Sequence, residues 1–142
     1  MILIEIFPNL WLGDIKALPH IGSKNIKCVI NCSKDLHFLN KYQDYKSAIK
    51  INLEKYEIIK LFEYLNETVE FIYKNIIKEK NILVVCNSAN QKAPTVICAF
   101  LIKYGKMMKN NAIKSIRSKH SAAFYPDISY ETTLEIFESK FI

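Results

Sequence analysis

The sequence predicts one α/β domain: a central, mostly parallel twisted sheet flanked by helices, occupying residues 1–142 without a break. Three observations carry this. Apolar segments short enough for strands alternate with long segments of helical period, the pattern of strand–helix–strand units. The chain has 142 residues, half of them hydrophobic, which suffices for one core and not for two. Three Gly and four Pro leave no room for a long flexible linker, and no internal repeat is present.

The elements follow in order. Ile2 to Ile6 and Leu10 to Leu12 read as short strands around Pro8-Asn9. Asp14 is placed to cap a short helix near Ile15 to Ile21, which Pro19 interrupts. Lys27 to Cys32 reads as a buried strand, Ser33 to Lys46 as a polar and aromatic loop, and Ala48 to Leu53 as an alternating strand. From Glu57 to Lys78, Ile58, Leu61, Phe62, Leu65, Val69, Ile72, Tyr73 and Ile76 recur at helical spacing. Asn81 to Val85 is the central buried strand. Ala93 to Tyr104 is apolar nearly all round, hence a buried helix, with Gly105 as its expected C-cap. Asn111 to His120 and Ser129 to Phe141 make two further amphipathic helices.

Bulk composition narrows the class. No apolar run approaches the roughly 20 residues of a membrane helix, and the apolar start lacks the basic region of a secretory signal. Cys28, Cys32, Cys86 and Cys98 lack CxxC spacing, so reduced thiols in a cytoplasmic or nuclear compartment are expected. His20, His37 and His120 show no metal-ligand spacing; no metal and no cofactor is expected. The formal net charge is +6, and Arg117 is the one Arg among 20 basic residues. That excess suits an acidic partner, although a Lys bias across the whole chain weakens any single Lys as evidence. The absence of a nucleic-acid motif argues against nucleic acid. Lys103, Lys106, Lys109, Lys114, Arg117, Lys119 and His120 span two consecutive helices, either as a solvated face or as an acidic docking site.

The chemically richest segment runs from Leu83 to Val96. A hydrophobic strand enters Cys86, a short polar loop of Asn87, Ser88, Ala89, Asn90 and Gln91 follows, then Lys92 and an apolar helix. A strand–loop–helix turn of this kind aims backbone N–H groups and a helix N-terminus at an anion, and lowers the pKa of a thiol placed there. Cys86 to Lys92 is therefore the candidate phosphate-binding loop. The competing reading makes Cys86 a buried strand-end thiol with no role.

With this loop in place, the chain resembles the small dual-specificity protein phosphatases within the cysteine-based protein tyrosine phosphatases. Asn9-Leu10-Trp11-Leu12-Gly13 resembles their opening strand motif, and Ile26-Lys27-Cys28-Val29-Ile30-Asn31 the next strand. Ala99-Phe100-Leu101-Ile102 resembles the helix motif after the phosphate loop. Pro126, Tyr130 and Leu134 resemble the entry to the C-terminal helix. The resemblance implies a protein tyrosine phosphatase-like fold and a loop of His-Cys, five residues, Arg, then Ser or Thr, with Gly three residues after the Cys. Cys86 falls on the nucleophile. Val85 stands at the His position, Ala89 at the Gly, Lys92 at the Arg and Ala93 at the hydroxyl. The general-acid position falls on Lys55, with Glu54 beside it as a possible substitute acid.

These departures imply a pseudophosphatase: the fold kept, turnover lost or negligible, the molecule acting through a phosphoprotein or an acidic protein surface. Lys92 keeps a charge and loses the bidentate fork. Ala93 lacks the hydroxyl that would help the thiolate leave. The alternative is a slow Tyr/Ser/Thr phosphatase working through a phosphocysteine at Cys86, with Glu54 or water as the acid.

Overall fold

The computed structural model describes residues 1–33, 49–50 and 58–142, with backbone alone at 49, 50 and 58. Strands β1 (Leu3–Phe7), β2 (Leu10–Gly13), β3 (Ile26–Asn31), β4 (Ile49–Lys50) and β5 (Asn81–Val85) form one sheet in the order β1-β2-β5-β3-β4. Only β1 and β2 pair antiparallel; the pairings of β5 with β2 and β3, and of β3 with β4, are parallel. The mostly parallel α/β sheet expected from the sequence is thus observed. The helices are α1 (Ile58–Ile76), α2 (Lys92–Lys103), α3 (Lys109–Lys119) and α4 (Glu131–Phe141). None of the described helices is long and apolar enough to cross a membrane.

Strand β5 lies at the centre because four successive apolar side chains let it bury both faces. Ile82 and Val84 join the larger core on the side of α1 and α2, while Leu83 and Val85 meet Leu18, Ile21, Ile26 and Val29 under the helix that follows β2. Helix α2 is buried continuously from Ala93 to Ile102, so the loop between β5 and α2 is anchored at both ends in core. Cys28, Cys32 and Cys98 are all buried, as apolar segments predict, and burial pushes the Cys98 thiol up to about 12.

Several local expectations are corrected. The segment after β2 is a 3-10 helix, Ile15–Lys24, with Pro19 inside it. Asp14 is its N-cap residue, as expected, but without a side-chain capping bond; its Oδ2 instead accepts the Ile2 N–H at 3.1 Å and ties β1 to β2. Gly105 is neither the C-cap, which is Tyr104, nor in the left-handed region, where Lys106 lies instead. A glycine is needed at 105 for space, since a Cβ would sit 2.5 Å from the Leu101 carbonyl oxygen. Helix α3 begins at Lys109, earlier than its hydrophobic pattern suggests. Its first N–H donates to Glu138 Oε2 at 2.6 Å, and Lys109 Nζ reaches Glu131 and Glu135 at 3.2 Å, so α4 supplies the cap that α3 lacks. Of the strand expected over Ala48 to Leu53, Ile49–Lys50 is observed and the remainder lies outside the described residues.

Candidate functional site

Parallel strands deliver their C-terminal ends to one edge of the sheet, where α/β proteins commonly bind ligands. Asn31 of β3 is in register with Val85 of β5, so Cys32 and Cys86 leave neighbouring strands at the same level, and Cys32 N–H donates to the Val85 carbonyl at 2.8 Å. Cys86 N–H in turn donates to the Gly13 carbonyl at 3.3 Å. A concavity of about 140 Å³ opens there, lined by Cys32, Ser33, Cys86, Asn87, Ser88, Gln91 and Lys92. It would hold a small oxyanion and is well below the roughly 300–1,000 Å³ of a drug-sized cleft.

Six of the seven residues of the predicted loop meet here, five at the wall and Ala89 beneath it. Ala89 is fully buried and takes φ 62°, the left-handed conformation that a glycine adopts without strain. The loop therefore keeps its reversal despite the methyl group. Among the described residues, the backbone N–H groups of Asn87 to Gln91 donate to no protein acceptor. Successive N–H groups around a left-handed residue form an anion-binding nest. The Ala93 N–H, in the first turn of α2, points back at Cys86 Sγ at 3.4 Å. It is a donor suited to a thiolate.

The seventh residue, Asn90, turns away. Its Oδ1 lies 3.3 Å from His120 Nε2, and its carbonyl accepts the Phe124 N–H at 2.6 Å. Gln91 touches the concavity, but its amide is used outside it. Nε2 donates to the carbonyls of Tyr125 and Asp127 at 3.0 and 2.7 Å, and Oε1 accepts the Ser129 N–H at 3.2 Å. Lys92 is the first residue of α2 and lines the cavity, as its position in the sequence predicts. Lys55 and Glu54, the expected acid positions, lie outside the described residues.

Sequence reasoning missed Cys32 and Ser33 as members of the site. Burial raises the Cys32 thiol well above its ordinary value, the neighbouring Cys86 adds to that, and Lys92 opposes it, so Cys32 contributes a neutral wall. Ser33 Oγ donates to Asn87 Oδ1 at 2.7 Å and orients the first loop side chain. The sequence places both residues at the end of a buried strand, but the pairing of that strand beside β5, which brings them to the loop, is set by the tertiary structure.

The seven basic residues of α2 and α3 do not form one open face. Lys103 Nζ lies 2.6 Å from Glu70 Oε1, Lys109 binds Glu131 and Glu135, and His120 meets Asn90. Arg117 is likewise engaged: Nε donates to the Ala123 carbonyl at 2.9 Å and Nη2 to the Phe124 carbonyl at 3.1 Å. In a chain that otherwise uses Lys, the one Arg sits where a planar fork spans two carbonyls. Arg117→Lys is expected to lower unfolding stability by about 1–3 kcal/mol, since the carbonyls lose charge-assisted donors. A urea midpoint equal to the parent's would remove this role.

A family model for the dual specificity phosphatase catalytic domain matches residues 10–140. A protein of Invertebrate iridescent virus 6, provisionally named tyrosine phosphatase 123R, is 24% identical over 134 residues, 94% of this chain and 90% of its own. Human dual specificity protein phosphatase 9 is 25% identical over 122 residues, 83% of this chain and 32% of the human protein. Among solved structures, human DUSP28 superposes with a TM-score of 0.82 at 15% identity, covering 97% of this chain and 93% of that one.

Proposed function

The chain belongs to the dual specificity phosphatase family, and on that premise we propose that it is a phosphate-binding interaction module whose catalytic turnover is lost or negligible. The observation that carries the binding half is the Cys86–Lys92 loop, with its left-handed Ala89 and backbone N–H groups left for an anion. What supports the catalytic half is chemical. Lys92 attracts phosphate as a point charge and cannot grip two oxygens as a guanidinium does. Ala93 offers its N–H to Cys86 Sγ but no hydroxyl. Lys55, with an unperturbed pKa of about 10.4, is a poor acid near neutrality. The expected partner is a phosphorylated protein, held and not cleaved.

The test of binding is a titration with inorganic phosphate, following the backbone amide resonances of Asn87 to Lys92. Saturable shifts are expected, weakening as salt rises because the mouth of the site is open to solvent. Lys92→Ala should weaken binding by about 1–3 kcal/mol, the range for a charge-assisted contact. Resonances that stay fixed at high millimolar phosphate would refute the reading. A slow phosphatase acting through a Cys86 phosphocysteine is the second reading, favoured by the Ala93 N–H aimed at the sulfur; the turnover assay below separates the two.

A further inference from the structure

The side-chain amide of Gln91 makes three hydrogen bonds. Both of its N–H groups donate and its oxygen accepts, and all three partners are backbone groups within Tyr125 to Ser129. This stretch of backbone precedes α4 and lies on the outer side of the loop. The adjacent residue is fastened to the same region twice, through His120 and through the Phe124 N–H. Phe124 itself has φ 64° and is fully buried, and Arg117 holds its carbonyl, so the surface to which the loop is tied is itself held. No such tie is seen at Asn87, whose side chain meets Ser33 on the opposite flank.

We propose that Gln91 is the positioning residue of the anion site: its amide fastens the second half of the loop to the 125–129 backbone and so holds the N–H groups and Lys92 in the anion-binding arrangement. The proposal rests on the anion-binding reading above. A nest binds only while its N–H groups converge, and the apparent dissociation constant rises as the fraction of competent loops falls. An untethered loop competent one-tenth of the time would bind about ten times more weakly. Because Ala89 occupies a conformation that alanine does not favour, this loop needs external restraint more than one built with glycine there.

The test uses Gln91→Met, which keeps length and bulk and removes all three hydrogen bonds, with Gln91→Asn as a variant that keeps the amide and loses the reach. Two readouts are taken on the full chain. Without added anion, both variants are expected to speed hydrogen exchange at the Ser129 amide, which donates to Gln91 Oε1, and at the Phe124 amide, which donates to the Asn90 carbonyl. With inorganic phosphate, the dissociation constant is expected to rise about 5–20-fold. The Ser129 amide, which donates to Gln91 Oε1, should respond to phosphate in the parent and stop responding in the variants. A purely structural role elsewhere would not uncouple that one resonance. Unchanged exchange and a phosphate affinity within twofold of the parent would overturn the proposal. If the parent binds no phosphate, the anion-binding reading falls, and the exchange data alone still decide whether Gln91 fastens the loop.

Discussion

A Cys86→Ser variant is expected to hydrolyse a small aryl phosphate no more slowly than the parent chain, because the parent has no turnover to lose. Cys86, at the family's nucleophile position, stands at the end of β5 with the Ala93 N–H 3.4 Å from its sulfur. What surrounds it is insufficient. Loss of a general acid costs about 10²–10⁴ in rate, and loss of one preorganised donor to a charged transition state costs about 10²–10³. Such effects overlap when groups act as a unit, so a combined deficit of at least about 10³ is the expected outcome, equivalent to about 4 kcal/mol of barrier. Robust parental turnover that vanishes in Cys86→Ser would replace the interaction-module reading with the slow-enzyme one.

The converse experiment restores the groups that the family loop carries and this chain lacks. Lys92→Arg with Ala93→Ser and Lys55→Asp is expected to raise aryl phosphate hydrolysis at least about 10²-fold above the parent, while each single change shows little. The structure strengthens this expectation at two positions. Ala89 already takes φ 62°, so the backbone reversal does not await a glycine. The N–H of residue 93 already reaches the sulfur, so a hydroxyl on the same residue is placed to serve it. A folded triple variant without activity would show that the departures left in place, Val85 and Ala89 in the loop itself, also block turnover.

The interaction-module reading also bears on stability. The loop is bracketed by two of the best-buried elements in the chain, β5 and α2. Substitutions within α2 of the kind Leu101→Ala or Ile97→Ala would remove core volume, a change that typically costs 2–5 kcal/mol. Loss of anion binding in such variants would say nothing specific about the site. The exposed or half-buried loop residues Asn87, Ser88 and Gln91 are the positions at which function can be altered with the fold left standing.

The sequence by itself determined the class of fold, the central position of Asn81–Val85 and the place of the strand–loop–helix turn at Cys86 to Lys92. These are legible because they are contiguous. The apolar run Ile82 to Val85, bounded by Lys80-Asn81 and a polar loop, is too short for a helix and fits a strand buried on both faces, and a lone Cys followed by a polar turn and an apolar helix keeps its chemistry within ten residues. Only the tertiary structure decided which residues complete and hold the site. Cys32 and Ser33 enter it across a parallel strand pairing, 54 positions from Cys86 and Asn87 respectively. Gln91 spends its amide on backbone 34 to 38 positions away. Arg117, which looks like one more surface cation, is a fork over two carbonyls, and Ala89, which looks like a broken loop, keeps the left-handed turn. The physical reason is common to all of them. Hydrophobic period reports burial along the chain, element by element, whereas the partner that satisfies a polar group is set by packing between elements distant in sequence, and no local pattern encodes it.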